Sequence, residues 1–211
     1  QYAHNLLYLN NGDGTFTDIS ASSGIAAGHE HSTSIAFGDF NLDGWIDIYV
    51  LNFLGVPMYN IFNPNTGLHI TPQRPGSANF LYLNNGDTTF TEVAANYGVE
   101  DWGSGWACVF SDFDGDADAD IYVANDFGQN PSAPNNTLYQ YDHQADTFLN
   151  IGATSGVDVG INAMGIAVGD FDEDGQLDYY ITNISENYLF RNNGNGTLID
   201  HADSAGVMNT G

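Results

Sequence analysis

Short apolar segments, some alternating with polar residues, recur along the whole 211-residue chain. Examples lie at residues 6–9, 48–51, 80–83 and 121–123, and each is bounded by Asn, Asp or Gly. This pattern is typical of β-strands separated by turns. Because no sustained apolar stripe follows the 3.6-residue period of a helix, the pattern predicts an all-β chain.

A hairpin motif occurs four times. Residues 5–17 read as a strand, an Asn-Gly and Asp-Gly turn, and a second strand, and the motif returns at 79–91, 136–148 and 187–198. Asn-Gly and Asp-Gly supply the positive φ angles that tight hairpins require. Each copy is followed by a small-residue segment that ends in Gly-Val or Gly-Ile.

After three of the four hairpins comes a further strand, an acidic segment and another strand. The acidic segments begin at residues 39, 112 and 170, so they are spaced by 73 and 58 residues. A unit of four strands and roughly 50 residues matches a propeller blade. The sequence therefore predicts an all-β, β-propeller-type repeat array of about three four-stranded blades plus one extra N-terminal hairpin. As a single array it divides into the hairpin (1–28) and three repeats (29–100, 101–158 and 159–211), the first with an insertion at 53–78.

The acidic segment at 170–178 carries carboxylates at its positions 1, 3, 5 and 9 and a glycine at position 6. A hard cation such as calcium takes about six to eight oxygen ligands, and alternate residues of a tight loop can direct carboxylates to one point. Gly175 permits the sharp reversal, and position 7 is expected to offer its backbone carbonyl. The segment predicts a calcium loop.

The same spacing appears in all three segments, which makes chance acidity a poor explanation, although an acidic solvated turn stays open as the alternative. A helical EF-hand is excluded because its twelfth position, where a bidentate glutamate belongs, holds Val50, Val123 and Ile181. About three calcium ions are expected. The candidate ligands are Asp39, Asn41, Asp43, Trp45 and Asp47; Asp112, Asp114, Asp116, Asp118 and Asp120; and Asp170, Asp172, Asp174, Gln176 and Asp178.

The charge of the chain excludes several partners. It has 27 acidic residues, two arginines and no lysine, for a formal net charge of −25. Phosphate backbones and anionic lipid surfaces would be repelled, so we expect no nucleic-acid partner. No apolar run is long enough to cross a bilayer, so no membrane span is expected.

Other residues that could carry chemistry have simpler explanations. His29, Glu30 and His31 could bind a transition metal, but no third ligand position is evident and a surface loop explains them better. Cys108 stands in an apolar strand and is expected in the core. The three tryptophans could stack on sugars, but core packing between blades is expected of them. Because no catalytic motif appears, we expect no enzymatic activity.

The order of motifs resembles the FG-GAP/VCBS-type β-propeller repeats, in the form found in bacterial relatives of cartilage acidic protein. The shared pattern is Asn-x-Leu-Tyr-x-Asn-Asn-Gly, as at 5–12, then Gly-Val or Gly-Ile, then Asp-x-Asp-x-Asp-Gly-x-x-Asp, as at 170–178, and an apolar strand. The resemblance covers nearly the whole chain outside 53–78. It implies a propeller fold with calcium in the loops, similar to those of integrin α-subunits. Asn41, Ala117 and the altered hairpin at 142–146 depart from the pattern.

These features predict an extracellular, calcium-stabilised β-repeat protein with a structural or adhesive role. Its open strand edges could pair with copies of itself into a fibre. A part of a longer propeller and a compact three-bladed monomer are the alternatives to an assembling subunit. A glycan- or protein-binding module using the insertions at 53–78 and 126–135, or the non-catalytic part of a secreted enzyme, are the alternative functions.

Overall fold

The structure, a computed structural model, describes residues 4–26, 30–53, 61–63, 68–70, 77–126 and 135–209, with backbone only at 61–63 and 68–70. Three four-stranded antiparallel sheets follow one another along the chain, and in each the strands keep their chain order. The prediction of an all-β array of three four-stranded units is confirmed. Sheet 1 contains β3 (Ser32–Gly38), β4 (Asp47–Asn52), β7 (Phe80–Asn84) and β8 (Phe90–Glu92); sheet 2 contains β9 (Ser104–Ser111), β10 (Asp120–Asp126), β11 (Thr137–Asp142) and β12 (Thr147–Asn150); sheet 3 contains β13 (Ala163–Gly169), β14 (Asp178–Asn183), β15 (Tyr188–Asn192) and β16 (Leu198–Asp200).

The predicted N-terminal hairpin is also present. It consists of β1 (Tyr8–Asn10) and β2 (Phe16–Asp18), which pair only with each other among the described residues. The insertion at 53–78 contains a second two-stranded pair, β5 (Ile61–Asn63) with β6 (Leu68–Ile70). The sequence pattern predicts a long loop between strands for this insertion, so the pair is a correction; most of the insertion lies outside the described residues.

Three one-turn helices follow the hairpins, and the sequence pattern did not predict them. They are α1 (Ser20–Ser23), α2 (Ala94–Tyr97) and α3 (Gly152–Ser155). Each ends at a glycine in the left-handed conformation. At Gly24 a Cβ atom would meet the carbonyl oxygen of Phe90 at 2.9 Å, and at Gly156 that of Leu198 at 2.8 Å. The glycine therefore allows each helix end to lie against the outer strand of the following sheet.

The core lies between neighbouring sheets. Every residue of β4 and of β10 is buried, so the second strand of sheets 1 and 2 buries both faces. Tyr49 and Leu51 pack with Ile121 and Val123 between sheets 1 and 2. Between sheets 2 and 3 the ring of Tyr122 stacks on that of Tyr179, with ring centroids 5.1 Å apart. A side-by-side arrangement of sheets explains why these strands are continuous apolar runs instead of strict alternations. Cys108 is in the first cluster, as predicted, and burial raises the pKa of its thiol to about 12.

The N-terminal face of sheet 1 is only partly covered. Leu7 and Ile25 pack with Ile48, Val50 and Tyr82 of this sheet. Ile35 and Phe37 on β3 are 55% and 56% exposed. The residues that align with them in sheet 2, Cys108 and Phe110, belong to the cluster between sheets 1 and 2. The difference arises because the N-terminal hairpin packs only two strands against sheet 1, whereas sheet 1 packs four strands against sheet 2.

The expectation that the tryptophans pack in the core was wrong for two of the three. Trp45 and Trp102 are each 51% exposed. Trp106 is partly buried and meets Phe53 edge to face, with ring centroids 5.2 Å apart. None of the described helices is long and apolar enough to cross a membrane.

Candidate metal centres

The three acidic segments occupy equivalent places, each joining the first strand of a sheet to the second. We number them loop 1 (39–47), loop 2 (112–120) and loop 3 (170–178). The ninth residue of each loop begins the second strand of its sheet. The repeated sequence pattern thus becomes a repeated position in the fold.

The first aspartate of each loop organises the backbone of that loop. In loop 3 the carboxylate of Asp170 accepts hydrogen bonds from the amides of Asp174 (3.0 Å) and Gly175 (2.9 Å). Asp39 and Asp112 accept the equivalent bonds in loops 1 and 2. The fifth residue accepts from the amide of the seventh in every loop, at 2.8–3.2 Å. These local bonds curl the chain so that alternate side chains converge.

Two loops bring three carboxylates together. One oxygen each of Asp112, Asp114 and Asp116 lie within 4.8 Å of one another, and so do those of Asp170, Asp172 and Asp174. Calcium–oxygen distances are about 2.3–2.6 Å, so two oxygens on opposite sides of one ion are about 5 Å apart. The spacing and the all-oxygen donor set therefore fit calcium.

Loop 1 has the same backbone with a different donor set. Its third residue is Asn41, whose amide group donates to Asp43 (3.1 Å) while its Oδ1 accepts from the Asp43 amide (3.1 Å). The asparagine offers a neutral oxygen where the other loops offer a carboxylate. Loop 1 accordingly carries less negative charge toward an ion.

The ninth aspartate joins each loop to the third strand. The buried Asp120 accepts from the amide of Phe113 (2.8 Å) with one oxygen and from that of Tyr141 (2.9 Å) with the other. Asp47 and Asp178 make the equivalent pairs of bonds in sheets 1 and 3. Burial raises the pKa of Asp47 to about 6 and that of Asp120 to about 7, although the amide donors lower both in part. These residues, predicted as ligands, also have a structural role that the spacing did not reveal.

The seventh residues differ in what their side chains do. In loops 1 and 3, Trp45 and Gln176 lie over the glycine turns that join the third and fourth strands of their own sheets. A Cβ on Gly86 would meet the Trp45 ring at 3.0 Å, and one on Gly194 would meet Gln176 at 3.4 Å. In loop 2 the seventh residue is Asp118, which is buried.

Two partners of the loops were missed by the sequence analysis. The guanidinium of Arg191 on β15 binds Asp172 and Asp174, the latter at 2.7 Å, and these carboxylates raise the pKa of the arginine. At the aligned position of β11, Gln140 donates to Asp114. The signal available in the sequence was their place in the hairpin repeat. Gln140 and Arg191 each precede the residue whose backbone amide binds the ninth aspartate of the loop.

Two residues of each loop have positive φ. They are Leu42 and Gly44, Gly115 and Ala117, and Glu173 and Gly175. Loop 2 thus keeps the backbone of the others although its glycine stands at position 4 instead of 6. Ala117, at φ +79°, holds a conformation that side chains with a Cβ adopt at a cost.

The histidine cluster does not form a metal site among the described residues. His29 lies outside them, and Glu30 accepts a hydrogen bond from the hydroxyl of Ser77 at 2.6 Å. The Glu30 carboxylate therefore binds the C-terminal end of the 53–78 insertion.

Comparisons with known proteins agree with the repeat architecture. The FG-GAP-like repeat family matches residues 1–50, 70–123 and 112–181. Cartilage acidic protein 1 of Xenopus tropicalis is 32% identical over 185 residues, and that of Homo sapiens is 27% identical over 181 residues; each alignment covers 84% of this chain. The chain spans about a quarter of the length of these relatives.

A solved structure from Agrocybe aegerita is also similar. It is a lectin with specific recognition of non-reducing terminal N-acetylglucosamine, and the match covers 93% of this chain and 60% of that one, with a TM-score of 0.36 and 18% identity. At that level of similarity nothing about a ligand passes to this chain. The family match covers most of the sequence, and the matched segments contain all of loops 1, 2 and 3. The chain belongs to the FG-GAP-like repeat family.

Proposed function

We propose that this chain is an extracellular, calcium-stabilised β-repeat module with a structural or adhesive role and no enzymatic activity. One observation carries the calcium part of the proposal: three carboxylates converge within 4.8 Å at the same place in two successive sheets. Because the loops join strands whose neighbours form the core, an ion in each loop would stabilise the sheet that holds it.

An extracellular setting agrees with the loop chemistry. Small exposed calcium loops of extracellular modules bind with Kd values of about 10⁻⁴–10⁻³ M, so they fill where calcium is millimolar. Without an ion the carboxylates of each loop repel one another, and few described cations are near: Arg191 contacts loop 3 alone. Bound calcium would offset that repulsion.

A calcium titration tests the proposal directly. Isothermal titration of the chelator-treated chain is expected to give about three bound ions. Asp116→Asn and Asp174→Asn are each expected to remove or weaken one of these, because each variant replaces a converging carboxylate in a different loop. A chain that binds no calcium at millimolar concentration would rule out the proposal.

A second candidate role, self-association, is favoured by the N-terminal end of the array. Leu6 and Phe16 of the hairpin region are 63% and 62% exposed, and Ile35 and Phe37 of β3 are 55% and 56% exposed. In addition β1 pairs only with β2 among the described residues, whereas β7, which aligns with it, pairs on both edges. Exposed apolar side chains and an open strand edge are both features that favour strand addition.

Light scattering of the molar mass, with and without calcium, tests self-association. We expect concentration-dependent oligomers that Phe37→Ser abolishes. Ile184→Ser is the matched control, since Ile184 is 71% exposed and follows β14 of sheet 3 instead of belonging to the hairpin or to sheet 1. A monomer at every concentration would exclude this role. The predicted ligand-binding insertions at 53–78 and 126–135 lie largely outside the described residues, so the glycan- or protein-binding alternative stays a prediction.

A further inference from the structure

Loop 2 differs from its two counterparts at the seventh position. Trp45 and Gln176 lie over the glycine turns of their own sheets, as described above. The corresponding turn in sheet 2, residues 142–146, contains no glycine. The seventh side chain of loop 2, Asp118, is 3% exposed where Trp45 is 51% exposed.

The buried carboxylate of Asp118 is incompletely satisfied. Its Oδ1 has no hydrogen-bond donor among the residues that the structure describes. Burial, and next the charge of the adjacent Asp116, raise the pKa of Asp118 to about 7, and Asp114 and Asp112 act in the same direction. A carboxylate is rarely buried without a donor or a cation, because it loses its hydration without compensation.

The surroundings of Asp118 favour a cation over a hydrogen-bond donor as the missing partner. Its neighbours are the three converging carboxylates of loop 2. The described side chain that donates into this loop, Gln140, is neutral and is directed to Asp114. The unpaired oxygen of Asp118 is therefore available as a fourth oxygen donor to loop 2, although Asp118 is not one of the three residues whose oxygens lie within 4.8 Å of one another.

We propose that Asp118 is a direct side-chain ligand in loop 2 and makes this loop the tightest of the three calcium sites. The proposal rests on the proposed function, since it ranks sites that must first bind calcium. Ligand charge tunes the affinity of calcium loops. Loop 1 has the neutral Asn41 at its third position, and in loop 3 the Arg191 guanidinium binds two of the converging carboxylates. Loop 2 has an added carboxylate and no cation beside it among the described residues.

Calcium titration of the full chain and of Asp118→Asn tests the ranking. The variant is expected to weaken the tightest binding step by about tenfold, the change typical of losing one charged ligand, and to leave the two weaker steps within about threefold. Glu173→Gln is the matched control: it removes one charge from loop 3 at an exposed residue that is not among the converging ligands. It should change every step by less than about threefold. An unchanged tightest step in Asp118→Asn overturns the proposal.

Thermal melts separate a ligand from a residue with a merely structural role. In excess chelator, Asp118→Asn is expected to raise the melting temperature, because it removes an uncompensated buried charge. In millimolar calcium it is expected to reduce the calcium-induced rise. A lower melting temperature in both conditions would instead identify a structural residue and overturn the proposal. If the unsubstituted chain binds three ions and Asp118→Asn binds them with the same affinities, only the proposal for Asp118 fails. If the unsubstituted chain binds no calcium, the proposed calcium function fails as well.

Discussion

Excess chelator is expected to lower the melting temperature of this chain by roughly 8–16 °C relative to millimolar calcium. A site with Kd near 10⁻⁴ M adds about 1.4 kcal/mol at about 1 mM calcium, so three sites add about 4 kcal/mol. The whole free energy of unfolding of a domain is about 5–15 kcal/mol. Calcium would therefore contribute a large share of the stability.

The physical reason is the charge of the loops. Asp112, Asp114 and Asp116 place three carboxylates within 4.8 Å of one another, and the chain has a formal net charge of −25. The folded, metal-free protein holds these charges closer together than the unfolded chain does. An ion converts that repulsion into attraction only in the folded state, and binding to the folded state alone stabilises it.

The measurement is a pair of melts at equal ionic strength. Sodium chloride at about 0.15 M in both samples keeps general screening constant, which matters for so acidic a chain. Magnesium in place of calcium is a second control, because magnesium demands a stricter octahedral geometry and dehydrates reluctantly. Superimposable melts with calcium and with chelator would show that the loops do not stabilise the fold through calcium.

Asp120→Ala is expected to destabilise the chain by about 2–4 kcal/mol even in excess chelator. The carboxylate of Asp120 accepts the amides of Phe113 and Tyr141, and all three residues are buried. Alanine leaves both amides without an acceptor, and each buried unsatisfied group costs about 1–3 kcal/mol. Burial raises the pKa of Asp120 to about 7, and removal of this partly unfavourable carboxylate offsets some of the loss.

Urea denaturation in chelator is the appropriate measurement, because without calcium any effect of lost ligation disappears. Asp120→Asn keeps one acceptor oxygen and should lose less than the alanine variant. Asp203→Ala, at an exposed aspartate, is the control and should change the free energy of unfolding by less than about 0.5 kcal/mol. If Asp120→Ala matched the unsubstituted chain in chelator and differed only in calcium, the ninth residue would act as a ligand alone.

Local sequence determined the strands, the turns and the loops of this protein. The Asn-Gly hairpins and the acidic loops depend on bonds between residues a few positions apart, such as those from Asp174 and Gly175 to Asp170. Their spacing is visible in the sequence, so the order of strands and loops and the approximate number of sheets could be predicted. The converging carboxylates could be predicted for the same reason.

Only the tertiary structure decided which of these residues are buried and which partners they have. Trp45 lies over the turn of its own sheet and stays half exposed, while Asp118 at the same loop position is buried. The contacts from Arg191 and Gln140 to the loops join strands that are distant in the chain. The ends of the one-turn helices likewise depend on where the next sheet lies. At the end of α1, for example, a side chain on Gly24 would collide with the carbonyl oxygen of Phe90. Such features follow from how sheets face one another, and no local spacing encodes that geometry.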